Sequence, residues 1–344
     1  MMDDWRPAGR VLIAGGGGFI GGHLARELLR RGSDVRAIDI KPIESWYQVH
    51  PELENIVGDL RYESICTQAV DGVSTVFNLA ADMGGMGYIE THRVECMRSV
   101  LINTHLLAAA AAQEVDRYFF SSSACVYNGS LQDQPVVAGL REEDAYPAYP
   151  EDGYGWEKLF SERMCRHYLE ERGIEVRIAR YHNVYGPWGT WDGGREKAPA
   201  AICRKVAMVK LGYASEIEVW GDGNQGRSYM FIDDCIEGTL RLTGSTFAEP
   251  VNIGSSRLIS VNELVDIVED IAGVHAPRRY NLSAPQGVRG RTSDNELVSR
   301  TLGWEPNCSL EHGLERTFAW IYDQISNGAK DMASVSVLSD NEKC

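Results

Sequence analysis

At roughly 150 residues per domain, a chain of 344 residues holds two domains or one large one, with a core that needs neither disulfide nor metal. Its 44% hydrophobic and 24% charged residues, with no apolar run near the ~18–20 residues of a bilayer span, exclude a membrane protein. Thirty-four Lys plus Arg against 49 Asp plus Glu, net −15, disfavour nonspecific nucleic-acid binding, because phosphate neutralisation requires a basic surface, so any phosphate site is local. Residues 10–14 form a short apolar strand, followed by Gly15-Gly16-Gly17-Gly18-Phe19-Ile20-Gly21 and by apolar positions at helical spacing from His23 to Leu29. Further strands are read at 34–39, 55–57, 75–79, 117–123 and 175–180, with helical patterns at 94–113 and 155–172. Such alternation requires right-handed crossovers, so the expected fold is α/β, a Rossmann-like doubly wound parallel sheet. Past Tyr181 the texture changes to Gly- and Pro-containing loops mixed with short elements, expected to form a smaller, mixed C-terminal substrate domain. The expected boundaries are 8–180 plus about 228–255 for the first domain and about 181–227 plus 256–326 for the second. The polar end at 327–344 reads as a disordered tail.

The acidic Met1-Met2-Asp3-Asp4 opening is unlike a secretory signal. Eight cysteines without a CxxC pair point to reduced thiols, a cytoplasmic protein and no metal centre.

Gly15, Gly18 and Gly21 make a GxxGxxG turn at the first strand-to-helix junction. There glycines permit close approach to a pyrophosphate held at the helix N-terminus, with Phe19 and Ile20 opening that helix. Asp39, at the end of the second strand about 20 residues on, is placed to bind a ribose diol, and its charge favours NAD over NADP. Asp59 is either an adenine contact or a turn-former.

Tyr154 and Lys158 lie one helical turn apart, so the ammonium is expected to lower the phenol pKa and supply a base for a hydroxyl proton. A serine-rich strand ends Ser121-Ser122-Ser123-Ala124-Cys125; if it stays extended, Ser123 and Cys125 face the same side. Ser123, Tyr154 and Lys158 resemble the Ser/Tyr/Lys triad of short-chain dehydrogenase/reductases, and the chain length suggests the extended branch.

Five segments carry a closer resemblance: 80–88 (Ala-Ala-Asp-Met-Gly-Gly-Met-Gly-Tyr), Ser122–Cys125, 181–187 (Tyr-His-Asn-Val-Tyr-Gly-Pro), 193–200 (Gly-Gly-Arg-Glu-Lys-Ala-Pro-Ala) and 287–291 (Gly-Val-Arg-Gly-Arg). Together they are similar to the GDP-mannose 3,5-epimerase family over about residues 8–325. The resemblance implies oxidation of the sugar C4 hydroxyl with bound NAD, inversion beside the new ketone, and reduction. Inversion needs a proton acceptor on one face and a donor on the other, and the resemblance gives these roles to Cys125 and Lys197. A free thiol near 8.5 needs a tuning neighbour to act as base, whereas a lysine near 10.4 is an acid at neutral pH without tuning. Gly84, Asn183, Glu196, Ala198, Lys205, Gln225, Arg227 and Arg291 are implied as substrate-binding residues for GDP-mannose or a related GDP-hexose, alongside Ser123, Cys125 and Lys197. Two positions depart from the family pattern: Gly226 stands where Thr is usual, and Asn128 replaces the proline after Tyr127.

Nucleotide-sugar 4,6-dehydratases typically carry Thr-Asp-Glu at 123–125, and UDP-galactose 4-epimerases Ser-Ala-Thr; Cys125 separates this chain from both. Other nucleotide-sugar chemistry and a nonenzymatic NAD-sensing protein are the alternatives, the latter weakened by the intact Tyr154/Lys158 pair. A homodimer is expected through the helices at 94–113 and 155–172, with Leu159, Met164 and Tyr168 as candidates for its face.

Overall fold

The computed structural model describes residues 5–340, with side chains through Asn327. Seven strands form one parallel sheet: β1 (Arg10–Ala14), β2 (Val35–Asp39), β3 (Glu54–Val57), β4 (Val73–Asn78), β5 (Arg117–Ser123), β6 (Glu175–Tyr181) and Val251–Ile253. Their spatial order is Val251–Ile253, β6, β5, β4, β1, β2, β3. The two-residue period of each strand divides the core between the faces of this sheet. Val11, Ile13, Phe77, Phe119 and Ala179 belong to one buried cluster, and Leu12, Ala14, Val76, Phe120 and Ile178 to another. The first packs with α1 (Phe19–Arg30) and continues into the C-terminal part; the second packs with the helices Val100–Ala112 and Asp152–Arg172. This is the doubly wound Rossmann-like sheet that the sequence pattern called for.

Because β1 lies between β2 and β4, consecutive crossovers leave it in opposite directions, opening a crevice beyond its carboxyl end. Short sheets cover that crevice. Gly226–Arg227 pairs with Ile259–Ser260 and with Gly290–Arg291, putting Arg227 in register with Arg291. Ile217–Trp220 pairs with Arg278–Asn281.

Three local readings change. The pattern at 94–113 is two helices, Arg93–Met97 and Val100–Ala112, broken where the Ser99 hydroxyl accepts the Asp82 amide at 2.9 Å. The last helix spans Leu310–Asp340, past the loss of apolar periodicity at 327, because a nucleated helix propagates cheaply through polar residues; 341–344 lie outside the described residues. Leu159 is buried, and Met164 and Tyr168 pack on the sheet core. The exposed apolar stripe is instead Trp156 and Phe160, one turn apart, with Val94, Met97 and Leu101 also exposed on the neighbouring helices.

Candidate active site

A cleft of about 640 Å³ lies at the carboxyl ends of the strands, and glycines shape its floor. Gly15 has φ +84°, and a Cβ there would sit 3.0 Å from the Ala80 nitrogen. A Cβ on Gly21 would fall 2.1 Å from the Gly15 carbonyl, so α1 approaches the turn as only glycine allows. Gly18 caps α1, whose first turn, with Phe19 and Ile20 in the cleft wall, carries no acidic side chain. The carboxylate of Asp39, only 8% exposed, accepts the Lys41 amide at 3.0 Å at the end of β2. Asp59 both forms a turn and lines the cleft; the Arg61 guanidinium, 2.7 Å away, holds its carboxyl below the usual range. A helix N-terminus free of acids, a glycine cradle and a carboxylate 20-odd residues along fit a dinucleotide pyrophosphate and ribose diol.

At the other end of the cleft, Ser123, Tyr154, Lys158 and Lys197 share the wall. The Ser123 hydroxyl and the Tyr154 phenol both face this part of the cleft. Burial raises that phenol well above its ordinary value, with Cys125 and Glu157 adding to the effect and Ser123 opposing it. The lowering expected from the Tyr154–Lys158 spacing is absent. Lys158 Nζ lies 3.6 Å from the Glu157 carboxylate, both side chains 1% exposed, so the phenol shares its charge with a carboxylate.

Cys125 does not continue the strand. β5 ends at Ser123, and Ala124–Val126 forms a 3₁₀ turn capped by the Ser123 hydroxyl, which accepts the Cys125 amide at 3.2 Å. The period-two argument therefore fails, yet the turn packs the thiol against Tyr154, Tyr88 and Cys96. The helix Asp152–Arg172 presses on this turn, because Gly155 lies where a Cβ would come within 2.2 Å of the Cys125 carbonyl. Arg291, implied as a substrate-binding residue, reaches the thiol: Nη1 donates to Sγ at 3.5 Å, Nη2 to Glu151 at 2.8 Å and Nε to Gln132 at 2.6 Å. Burial pushes the thiol up, as does Glu151, against the pull of Arg291. Lys197 is not the untuned ammonium expected: it caps the helix Ala198–Lys210, and burial lowers it while the nearby thiol opposes.

The remaining implied residues divide into two groups. Gly84 lines the cleft, where a Cβ would meet Tyr88 at 2.8 Å, and Glu196 shapes the adjoining loop by accepting Gly194 N–H at 2.7 Å and Arg204 at 3.0 Å. Ala198 opens the helix behind Lys197. Farther along, Asn183, at φ +41°, donates to the Ser228 carbonyl at 3.0 Å. Lys205 donates to the Glu218 carbonyl at 2.9 Å with its ammonium over the Trp220 ring. Gln225 donates to the Trp220 carbonyl at 2.7 Å, and its buried Oε1 has no partner. Arg227 donates to the Gln286 and Val288 carbonyls at 3.0 and 2.6 Å. Gly226 cannot be threonine here without a backbone shift, since a Cβ would lie 2.3 Å from the Pro135 carbonyl. Asn128 replaces proline with bonds of its own, donating to the Pro147 carbonyl at 2.9 Å and accepting Ser130 N–H at 2.9 Å.

Two features lay outside the residue set read from sequence. Glu151 joins the thiol cluster. Arg195, inside the Gly-Gly-Arg-Glu-Lys segment, donates to Asp82 at 2.8 Å and to the Tyr88 hydroxyl at 2.6 Å, tying two segments of the cleft lining together. A hydrogen bond between the Tyr47 and Thr190 hydroxyls makes a second such link. The signal for Arg195 was its place between quoted motif residues; Glu151 had only its position before the helix.

The model of the NAD dependent epimerase/dehydratase family matches residues 11–254. This chain belongs to that family. It is 45% identical over 334 residues to the GDP-mannose 3,5-epimerase of Arabidopsis thaliana, an alignment covering 97% of this chain and 87% of that one. In structure it is similar to UDP-glucose 4-epimerase of Thermotoga maritima, with TM-score 0.83 at 24% identity over 92% of this chain and 99% of the other. It is also similar to UDP-glucuronic acid 4-epimerase of Bacillus cereus, solved with UDP-glucuronic acid and NAD: TM-score 0.78, 25% identity, 92% and 99% covered. The family member described here is an NAD-dependent enzyme acting on nucleotide-sugars. Among its described residues, no helix is long and apolar enough to cross a membrane.

Proposed function

We propose that this enzyme epimerises GDP-mannose at C5, or at C3 and C5, through a transient 4-keto sugar, giving GDP-L-gulose or GDP-L-galactose. The observation that carries the reading is that Cys125 lies just behind the cleft wall, in one buried cluster with Tyr154, which lines the cleft together with Lys197. Similarity to the Arabidopsis enzyme supports the choice of sugar nucleotide.

Gly15, Gly18, Gly21 and Asp39 would hold the NAD, which would supply a reversible acceptor for the C4 hydride. Tyr154, which shares the cleft lining with Ser123, takes the C4 hydroxyl proton and later restores it. Lys158, under the Tyr154 ring at 5.6 Å, supplies the positive charge that a developing phenolate requires. Once C4 is a ketone, the carbanion formed at C3 or C5 delocalises into an enolate, and Cys125 and Lys197 exchange protons on its two faces. Gly84, Asn183, Glu196, Ala198, Lys205, Gln225 and Arg227 hold the nucleotide-sugar; the unpartnered Gln225 Oε1 and the amphipathic Lys205–Trp220 contact suit a base. In this reading, residues 8–180 with 228–255 carry the cofactor, and 181–227 with 256–326 carry the sugar nucleotide.

Incubation with GDP-mannose in D₂O tests the proposal. Deuterium at C5, or at C3 and C5, of an inverted product is expected. An unchanged sugar, with 4-epimerisation of UDP-galactose that survives Cys125→Ala, would reject it.

The same reading places the enzyme in the cytosol, where the seven described cysteines, all unpaired, stay reduced. It also makes the enzyme a homodimer through Trp156 and Phe160, which Trp156→Glu should convert to monomer in sedimentation.

A further inference from the structure

The helix Asp152–Arg172 buries two acids and provides for them differently. Glu162, 4% exposed, is held by Arg180, whose Nε and Nη2 donate to its two oxygens at 2.9 and 2.7 Å. Glu157, 3% exposed, has no such fork. Among the described residues it meets the Ser161 hydroxyl, which donates to Oε1 at 3.2 Å, and Lys158 Nζ, 3.6 Å from Oε2. Oε2 accepts no hydrogen bond. A carboxylate so poorly solvated keeps its charge through the nearest cation, and that cation is the ammonium on which the Tyr154 phenolate depends. Lys158 Nζ also lies 5.6 Å from the centre of the Tyr154 ring and 4.8 Å from that of Phe120 on β5. One buried cation therefore serves two acids of a single helical turn, of which the reaction uses one. The other titratable groups around them are thiols. Cys96, on the helix Arg93–Met97, feels the charge of Glu157, and Cys125, in the turn after β5, acts on Tyr154.

We propose that Glu157 is a positioning residue that divides the charge of Lys158 with the Tyr154 phenol and so sets the pH range in which the phenolate forms. The inference rests on the reading of Tyr154 as the base of the hydride step and is independent of which carbon is inverted. While Glu157 is ionised, carboxylate and ammonium largely offset each other and the phenol keeps its proton. With the carboxyl protonated, the ammonium faces the phenol undivided and the phenolate is favoured. The trio is neutral either way, as phenol, ammonium and carboxylate or as phenolate, ammonium and carboxylic acid, and a dry site accepts no other balance cheaply. Tyr154 and Glu157 consequently titrate as a pair around one cation. The division makes the phenolate scarcer at neutral pH and a stronger base once formed. Burial raises Glu157 against the pull of Lys158 and Ser161, and burial, Cys125 and Glu157 together raise Tyr154, which are the directions the division requires.

The test is the pH titration of Tyr154 in the NAD-loaded enzyme by carbon NMR, with tyrosine labelled at Cζ and the Tyr154 signal identified by its loss in Tyr154→Phe. The expected wild-type midpoint lies above the ordinary tyrosine value of about 10. Glu157→Gln keeps the shape and removes the charge, and should lower the midpoint by about one unit or more, a tenfold gain in phenolate below it. Ser161→Ala takes away the hydroxyl that favours the ionised carboxyl and should lower the midpoint by less. Glu157→Asp keeps the charge and should stay near wild type. The acidic limb of single-turnover cofactor reduction should follow the midpoint in each variant. A wild-type midpoint below about 10 would mean an undivided ammonium, and a midpoint that stays or rises in Glu157→Gln and Ser161→Ala would mean a carboxylate without effect. Either result overturns the proposal. A midpoint that moves while the limb stays in place would take the base role from Tyr154 and the proposal with it.

Discussion

The cofactor end and the sugar end of the cleft are built from different materials. The first is shaped by main chain: Gly15, Gly18 and Gly21 leave room for a pyrophosphate at the start of α1, and Asp39 is the one acid the arrangement needs. The second is shaped by paired charges, Glu151 with Arg291 and Asp82 with Arg195 from distant parts of the chain and Glu218 with Lys205 from adjacent elements. A main-chain site is sensitive to a single added methyl, whereas a site of paired charges is sensitive to neutralisation. The contrast separates what each end does for the reaction.

The largest effect should come where the two ends meet. Tyr154→Phe removes the phenol from the cleft lining it shares with Ser123 and should slow single-turnover cofactor reduction by about 10²–10⁴-fold. A loss below tenfold would take the proton step away from Tyr154.

Next in size is a pH effect confined to the cofactor end. His23, 3% exposed on α1 and bonded to the Pro187 carbonyl at 3.0 Å, is lowered by burial from 6.5 to about 4. Its folded value is depressed, so its stabilisation is complete above pH 6.5 and lost as pH falls toward 4. The 2.5-unit difference (6.5 − 4) corresponds to about 3 kcal/mol. Thermal melts across that window should show the decline, and His23→Gln should flatten it; an equally steep decline in the variant would refute the assignment.

Gly21→Ala should destabilise by about 1–3 kcal/mol and release NAD, because its methyl meets the Gly15 carbonyl. Retained cofactor with an unchanged melt would show that α1 can withdraw.

The smallest effect on stability belongs to Arg195→Ala. Its pair with Asp82 is 47% and 39% exposed, worth about 0.2–1 kcal/mol, so the melt should barely move. The expected change is a severalfold rise in KM for GDP-mannose at constant NAD content, and a fall in NAD content instead would place the link at the other end.

Much of the cofactor end was legible in the sequence because its information is local. A glycine turn, a strand-end Asp39 and the spacing of Tyr154 and Lys158 each lie within a few residues of one another. Even there, the buried pair of Glu157 with Lys158 has no signal in the spacing, since burial is set by packing and not by neighbours in sequence. The sugar end depends on contacts no local pattern records: Arg291 meets Cys125 across 166 positions. Ala124-Cys125-Val126 looks like continuing strand by residue type, and only the Ser123 hydroxyl bonding the Cys125 amide turns it.

The links from Tyr47 to Thr190 and from Asp82 to Arg195 cross the cleft like rungs. In a cycle that gives back to the same sugar what it borrowed, the dinucleotide never has to be traded for a fresh one. Such a barred cleft suits a resident prosthetic group, locked in at folding and carried through purification, whose oxidation state is independent of the pool outside.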